Sequence, residues 1–441
     1  MITTDQIKEW GIVGAGGAGF PTHVKLSAKA GTFIVNAAEC EPLLHKDKEI
    51  LLHHSKLFFT GLRTCMQLIG AQHAIIGIKG KYQELIDLLQ PYCTKDITIF
   101  PLRNFYPAGD EISLIYETTG RAVAAGQLPI TQDVVVQNVE TIYNIGRQQP
   151  VTTSFLTVGG AVAKTMSVEV PIGVSYRQVL SWAEPLVENY AVIAGGPMMG
   201  KLCTDLDQPV VKSSGGLLVF PKDHQLIQRH QIMGDEKAVA KIGRAACDQC
   251  SICTELCPRS LLGHPVKPHL AMRNLIFSDG VFKADQSMTH TLSCCECNLC
   301  TLMACPEGLY PSQSCIYNKR QLSQAKITHQ GGGEQGVHPL ISYRRMPMEK
   351  VMSRLDLNRF VNKGPLMDIP EEITKVRVPL QQHIGAPCQP LVKQGDRVEA
   401  GQKIATCSTN LGAEIHASIA GEVVMVDQVA VTIEKKAELA Q

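Results

Sequence analysis

The chain of 441 residues contains no apolar run of about 18 residues, so no segment is expected to span a membrane. It carries no excess of either charge. Lys plus Arg number 42 and Asp plus Glu 41, for a net charge of +1. With no basic excess, a nucleic-acid partner is not expected. The polar stretch Met1–Trp10 has no secretory character. Disorder is excluded as well, because 44% of the residues are hydrophobic and only 19% charged. At roughly 100–200 residues per domain, about three or four domains are expected.

Cysteine, by contrast, is abundant: there are 16. In a chain without secretory features this points to metal rather than to disulfides. Nine lie between Cys247 and Cys305. The other seven (Cys40, Cys65, Cys93, Cys203, Cys315, Cys388 and Cys407) are scattered, and are expected to be buried small hydrophobes. Cys247, Cys250, Cys253 and Cys257, followed by Pro258, form C-x2-C-x2-C-x3-C-P, the bacterial ferredoxin run for a [4Fe–4S] centre. Three thiolates on one tight loop converge on one cube, and the fourth, redirected by proline, reaches another. Zinc sites use paired C-x2-C units with longer spacers and fit this run poorly.

A second run contains Cys294, Cys297, Cys300 and Cys305. Starting at Cys295 instead places Asn298 where a ligand is needed, so Cys295 is not expected to be a ligand. The gap from Cys300 to Cys305 is one residue longer than usual. Two such runs exchange their fourth ligands. One cube is therefore expected on Cys247, Cys250, Cys253 and Cys305, the other on Cys294, Cys297, Cys300 and Cys257. The fourteen histidines show no metal-type spacing, and His53, His54, His264, His383 and His416 are expected to be structural.

Residues 11–145 alternate strand and helix patterns, which predicts a parallel α/β sheet. The expected strands are Thr32–Ala38, His73–Lys79, Asp96–Leu102 and Asp133–Val139, with the longest helix from about Asp47 to Ile69. Gly14, Gly16 and Gly19 satisfy G-x-G-x-x-G, but the Rossmann motif needs a full strand before the glycines and only Ile12-Val13 is available. What remains is a glycine turn, with Gly17 and the nearby Lys25, whose backbone can approach a phosphate. Polar groups also gather at Asn36–Pro42, Tyr106–Glu111 and Val136–Thr141. Each alone could be turn or cap chemistry; together, at the loop ends of one sheet, they suggest a single flavin pocket.

These four segments resemble the flavin-binding fold shared by the NADH-oxidising subunit of respiratory complex I and the RnfC component of the Rnf complex. The resemblance implies noncovalent FMN and NADH as electron donor. It places Gly14, Gly16, Gly17 and Lys25 at the FMN phosphate and ribityl chain, with Gly19 and Gly109 in the same cofactor-binding set. Asn36, Glu39, Gln137, Asn138 and Thr141 would line the flavin, and Phe20, Glu41, Asp110 and Glu111 the NADH side. The chain departs from that pattern at Ala38, Asp110 and Gln137.

The fold class expected is α/β multidomain. A complex-I-type FMN-binding α/β domain (1–148) precedes a small SLBB-like β-grasp domain (149–225). A two-[4Fe–4S] ferredoxin-like helical module (236–325) follows. A linker with Gly331–Gly333 and a short helix over Met348–Phe360 (326–370) then leads to a C-terminal lipoyl-like β hammerhead (371–436). The hammerhead tip, Asn410–Gly412, has no lysine, so neither lipoate nor biotin is expected. With the hammerhead last, the order resembles the cobalamin reductase family of propanediol-utilisation microcompartments. That resemblance implies electron flow from NADH through FMN and two [4Fe–4S] clusters to a corrinoid, regenerating adenosylcobalamin. It also implies a cytoplasmic location within a bacterial microcompartment, with a cobalamin adenosyltransferase and shell proteins as partners. The alternatives are delivery to ferredoxin or another acceptor, and an RnfC-like electron-transfer role. No corrinoid-binding D-x-H-x-x-G run is present.

Overall fold

The computed structural model describes residues 2–282, 284–329 and 336–435. The expected Gly331–Gly333 linker signal lies outside the described residues, as does the last residue of the expected hammerhead. Among the described residues, no helix is long and apolar enough to cross a membrane.

The N-terminal part opens with helices α1 (Thr4–Glu9) and α2 (Thr22–Leu26), separated by the glycine turn. Then come β1 (Thr32–Ala37), α3 (Lys46–Ile69), β2 (His73–Lys79), α4 (Gln83–Leu89) and β3 (Ile97–Leu102). They are followed by β4 (Phe105–Tyr106), α5 (Glu111–Thr119), β5 (Val134–Asn138) and α6 (Val139–Arg147). The sheet order is β3-β2-β1-β5, all parallel. β1 and β5 are Val- and Ile-rich and almost wholly buried, as parallel strands covered on both faces must be. The expected strands stand within a residue or two of their predicted ends. α3 and α6 pack backbone to backbone at Gly61 and Gly146, where a Cβ on either would overlap a carbonyl of the other helix.

A second, six-stranded sheet follows. β6 (Thr153–Gly160) and β7 (Met166–Pro171) form an antiparallel hairpin, and α7 (Tyr176–Ala183) crosses over. β8 (Tyr190–Ala194), β9 (Lys201–Cys203) and β10 (Gly216–Pro221) follow, with β10 parallel to β6, and Leu366–Met367 supplies the sixth strand. A helical segment carries the cysteine runs, between the helices Glu236–Ala246 and Pro311–Gln324. The C-terminal part folds into two small antiparallel sheets, one built on Lys375–Pro379, Ala430–Glu434, Gly421–Val426 and Arg397–Val398. The other joins Gln389–Pro390, Lys403–Thr406 and Ile415–His416. One apolar core runs from Ile7 and Phe33 through Phe155 and Val219 to Ile404 and Ile433, so the C-terminal part is packed on the rest.

The segment expected as a linker is instead, over its described residues, a strap. Met346–Pro347 pairs with β4, and Leu366–Met367 adds a parallel strand at β7. Leu366 N–H also donates to Glu49 Oε2 at 2.9 Å. The single helix expected over Met348–Phe360 divides into Met348–Arg354 and a short turn, Asn358–Phe360.

Candidate functional site

In the first sheet, β2 and β3 add on one side of β1 and β5 on the other, so the strand order reverses between β1 and β5. The crevice outside the carboxyl ends of two such strands is where open α/β sheets bind ligands. Asn36 and Asn138 face each other there as register partners. Asn36 Nδ2 donates to Gly109 O at 2.8 Å, which ties the turn before α5 to β1. Asn138 caps α6 by accepting from Glu140 N–H at 2.9 Å, and its Nδ2 donates to Asp47 Oδ2 at 2.7 Å. Gln137 is buried beside them.

The glycine turn lies across this crevice. Ala15 N–H donates to Thr141 Oγ1 at 2.9 Å, and Ala15 O accepts from Lys46 Nζ at 3.0 Å. A Cβ on Gly16 would stand 3.4 Å from Asn138 Cβ, so the turn passes in van der Waals reach of the Asn138 side chain. Gly17 has a φ of +107° with open space beside it. Gly14 and Gly19 N–H are bonded within the turn. Among the described residues, none accepts from the exposed Gly16, Gly17 or Ala18 N–H. Successive backbone N–H groups left free on one turn are the donors that an anion requires.

Beneath the turn is a cluster of buried charge. Lys46 Nζ meets Glu140 Oε2 at 2.6 Å, both side chains almost fully buried. Glu39 accepts from Asp47 and Lys48 N–H at 2.8 and 3.4 Å, capping α3, whose own N-cap His45 does not cap the helix with its side chain. Burial pushes the Glu39 carboxyl up, and burial together with the Glu39 charge pushes Asp47 up. Asp47 Oδ1 is buried without a hydrogen-bond partner among the described residues. Lys46 and Asp47 lie outside the four segments singled out in the sequence, and Glu140 lies within Val136–Thr141 without being marked as a site residue. Lys25, expected at a phosphate, is paired with Glu111 at 2.7 Å.

A second set of bonds joins this pocket to the cysteine loops. Tyr106 Oη donates to Cys297 O at 2.8 Å and lies 3.2 Å from Glu41 Oε1. Glu41 Oε2 accepts from Met198 N–H at 2.9 Å, while Met198 O accepts from Asn298 Nδ2 at 2.7 Å. Burial pushes the Glu41 carboxyl up to about 7. Asp110 caps α5 through Ser113 N–H and accepts from Arg259 Nη2 at 2.7 Å. Arg259 lies two residues past Cys257.

Cys247, Cys250, Cys253 and Cys305 line one small cavity, together with His269, Met272 and Pro306. The extra residue between Cys300 and Cys305 is absorbed by a π turn over Cys300–Ala304, closed by Cys305 N–H donating to Cys300 O at 3.1 Å. The two runs share a backbone pattern. Gln249 and Ser251 in the first, and Glu296 and Asn298 in the second, have positive φ at matching offsets from Cys247 and Cys294. By that repetition Cys294 is the counterpart of Cys247. Glu296 N–H donates to Cys294 Sγ at 3.4 Å, and Leu309 N–H to Cys305 Sγ at 3.3 Å. Cys300 feels the charges of Cys294 and Cys257, Cys257 feels those of Cys295 and Cys294, and Cys315 is hydrogen-bonded to Cys294. Burial pushes Cys253 up to about 12 and raises Cys300 well above the usual thiol range. Thiols packed this densely become thiolates only beside a cation, so the donor set suits iron–sulfur clusters.

Three family models match separate parts of the chain. The Nuo51 FMN-binding domain matches residues 7–147, the 4Fe-4S dicluster domain residues 246–310, and the RnfC barrel sandwich hybrid domain residues 358–440. Cobalamin reductase PduS of Salmonella typhimurium is 42% identical over 442 residues, covering 98% of this chain and 97% of that protein. The C component of the proton-translocating ferredoxin:NAD(+) oxidoreductase complex of Clostridium ljungdahlii is 33% identical over 266 residues, covering 58% of this chain and 55% of that protein. A solved NAD+-reducing [NiFe]-hydrogenase chain is 23% identical at a TM-score of 0.48, with 74% of this chain and 63% of that one covered.

Proposed function

The chain belongs to the cobalamin reductase family, and from that premise we propose that it passes electrons from NADH, through FMN and two [4Fe–4S] clusters, to the cobalt of a corrinoid. The observation that carries this reading is the direct bonding of the crevice to both cysteine runs, through Tyr106 to Cys297 and through Asp110 to Arg259. When bound, FMN exchanges electrons in pairs on one side and singly on the other, and the clusters relay them singly.

The N–H groups of Gly16, Gly17 and Ala18 hold the phosphate. Asn36, Gln137, Asn138 and Thr141 border the ring. Glu41, Asp110 and Glu111 lie on the NADH side, where each is already bonded: to Met198 N–H, to Arg259 and to Lys25. They position the docking surface rather than offer free charge. One cube sits on Cys247, Cys250, Cys253 and Cys305, the other on Cys294, Cys297, Cys300 and Cys257. The hairpin, crossover helix and parallel return of 149–225 support a β-grasp module between the flavin part (1–148) and the cluster part (236–325). The strap then leads to the hammerhead, 371–436. The cellular setting proposed is a cytoplasmic microcompartment, shared with a cobalamin adenosyltransferase and shell proteins.

The test is anaerobic turnover of the cofactor-loaded protein. NADH should bleach the flavin, and added cob(II)alamin should then be reduced. Bound FMN that NADH does not bleach would end the NADH-oxidising reading. Reduction of ferredoxin with none of the corrinoid would replace the corrinoid by ferredoxin as the acceptor.

A further inference from the structure

Three donors outside the flavin crevice and the cluster loops come together in the C-terminal part. His383, Cys388 and Cys407 are all buried, at 7%, 1% and 5% exposure, and their ligand atoms lie within 4.8 Å of one another. Cys407 Sγ is 3.4 Å from His383 Nε2. The strands Gln389–Pro390 and Lys403–Thr406 pair antiparallel, with Gln389 opposite Thr406. Cys388 and Cys407 flank the last registered pair, one residue beyond it on either strand. Directly opposed residues hold their Cβ atoms about 4.5–5.5 Å apart. A relaxed disulfide needs about 3.8 Å. The wider separation suits two thiolates bound to one ion. With bonds of roughly 2.0–2.3 Å, the donors around a tetrahedral zinc lie about 3.4–3.8 Å apart.

We propose that His383, Cys388 and Cys407 bind one thiophilic divalent cation of the zinc type, a third metal centre separate from the two clusters. Two sulfurs and one imidazole are a soft donor set, unlike the oxygen sets of magnesium or calcium. Without metal, Cys388 donates weakly to Ala413 O at 3.4 Å and Cys407 to Ala386 O at 3.6 Å. Binding replaces those protons with the ion. Three protein donors leave a fourth position for water. The site lies just under the exposed loops 384–387 and 408–411, which gives an ion a short way in.

The ion would act as a staple beside the flavin crevice. Ile384 N–H donates to Gly19 O at 3.0 Å, and Asn410 O is bonded to His23 Nε2 at 3.1 Å. The two loops tied by the metal are thus the two that rest on the glycine turn and α2. Loading the site would hold the hammerhead against the phosphate cradle.

The experiment uses the full chain, loaded with iron–sulfur clusters and flavin, grown with zinc and purified anaerobically. Elemental analysis should find about one zinc per chain beside the iron, and X-ray absorption at the zinc edge should show two sulfur neighbours and one imidazole. In His383→Gln and in Cys388→Ser/Cys407→Ser, zinc should fall by roughly tenfold or more while iron and flavin stay unchanged. Zinc no higher in the unaltered protein than in these variants would overturn the proposal. So would a zinc edge showing four sulfurs, which places the zinc in emptied cluster loops. A Cys388–Cys407 disulfide in the anaerobic protein would overturn it as well. The absorption measurement needs no substitution, so a variant that fails to fold does not spoil the test.

Discussion

Replacing Lys46 by Met tests whether buried charge supports the glycine turn. Its ammonium lies between Glu140 Oε2 at 2.6 Å, Ala15 O at 3.0 Å and Ser214 O at 3.4 Å. Burial opposes its charge, yet Glu140, Asp47 and Glu39 outweigh that and raise its pKa. Methionine fills the volume but leaves the Glu140 carboxylate buried without its cation. Removing one partner of such a pair costs about 3–5 kcal/mol. Glu140 Oε1 also accepts from Phe155 N–H at 3.0 Å, a bond glutamine preserves. Lys46→Met/Glu140→Gln should therefore recover about 2 kcal/mol of the loss, a coupling visible in a double-mutant cycle. Urea denaturation followed by circular dichroism measures both. Because Ala15 O loses its partner, Lys46→Met should also retain less FMN through gel filtration. Lys46→Met within about 1 kcal/mol of the parent, or a double variant no more stable than the single one, would refute the reasoning.

Glu41 provides a pH signature. Burial lifts its carboxyl from 4.5 to about 7, so the folded chain holds an extra proton between those values. Its contribution is then full below about pH 4.5 and is lost as pH rises through 7, by about 3 kcal/mol. Denaturation midpoints at pH 5 and pH 8 should differ by that much less in Glu41→Gln than in the parent, and equal slopes would contradict it. Arg259→Met should destabilise by about 2–4 kcal/mol, because the Asp110 carboxylate is left buried. Asp110→Asn should cost less, since asparagine still caps α5; denaturation midpoints decide the order. Cys297→Ala should retain only about half of the eight irons of two clusters. Iron analysis showing all eight would remove Cys297 from the ligand set.

The strands of the first sheet were legible because parallel strands buried on both faces leave continuous Val- and Ile-rich runs such as Phe33–Val35 and Val134–Val136. The second cysteine run was visible for a related reason, because ligand spacing acts within one loop. Its positive-φ residues Glu296 and Asn298 repeat the offsets of Gln249 and Ser251 in the first run. The strap was not legible, because two-residue strands such as Met346–Pro347 carry no periodic pattern and exist only through their partners. The glycine turn lay between: its composition announced an approach to phosphate, but not that Thr141 and Lys46 would hold it.

By itself, then, the sequence determined the order of the parts, the two cysteine loops and the strand ends that face the crevice. All of these depend on residues within a few positions of one another. Only the tertiary structure decided which distant groups share an environment. Lys46 and Glu140 are 94 positions apart, Asp110 and Arg259 149, Tyr106 and Cys297 191. His383, Cys388 and Cys407, expected as structural residues, became a donor set only when two short strands paired. A contact across such separations stabilises the fold without leaving a local pattern, because its energy depends on where the chain returns and not on what stands beside each residue.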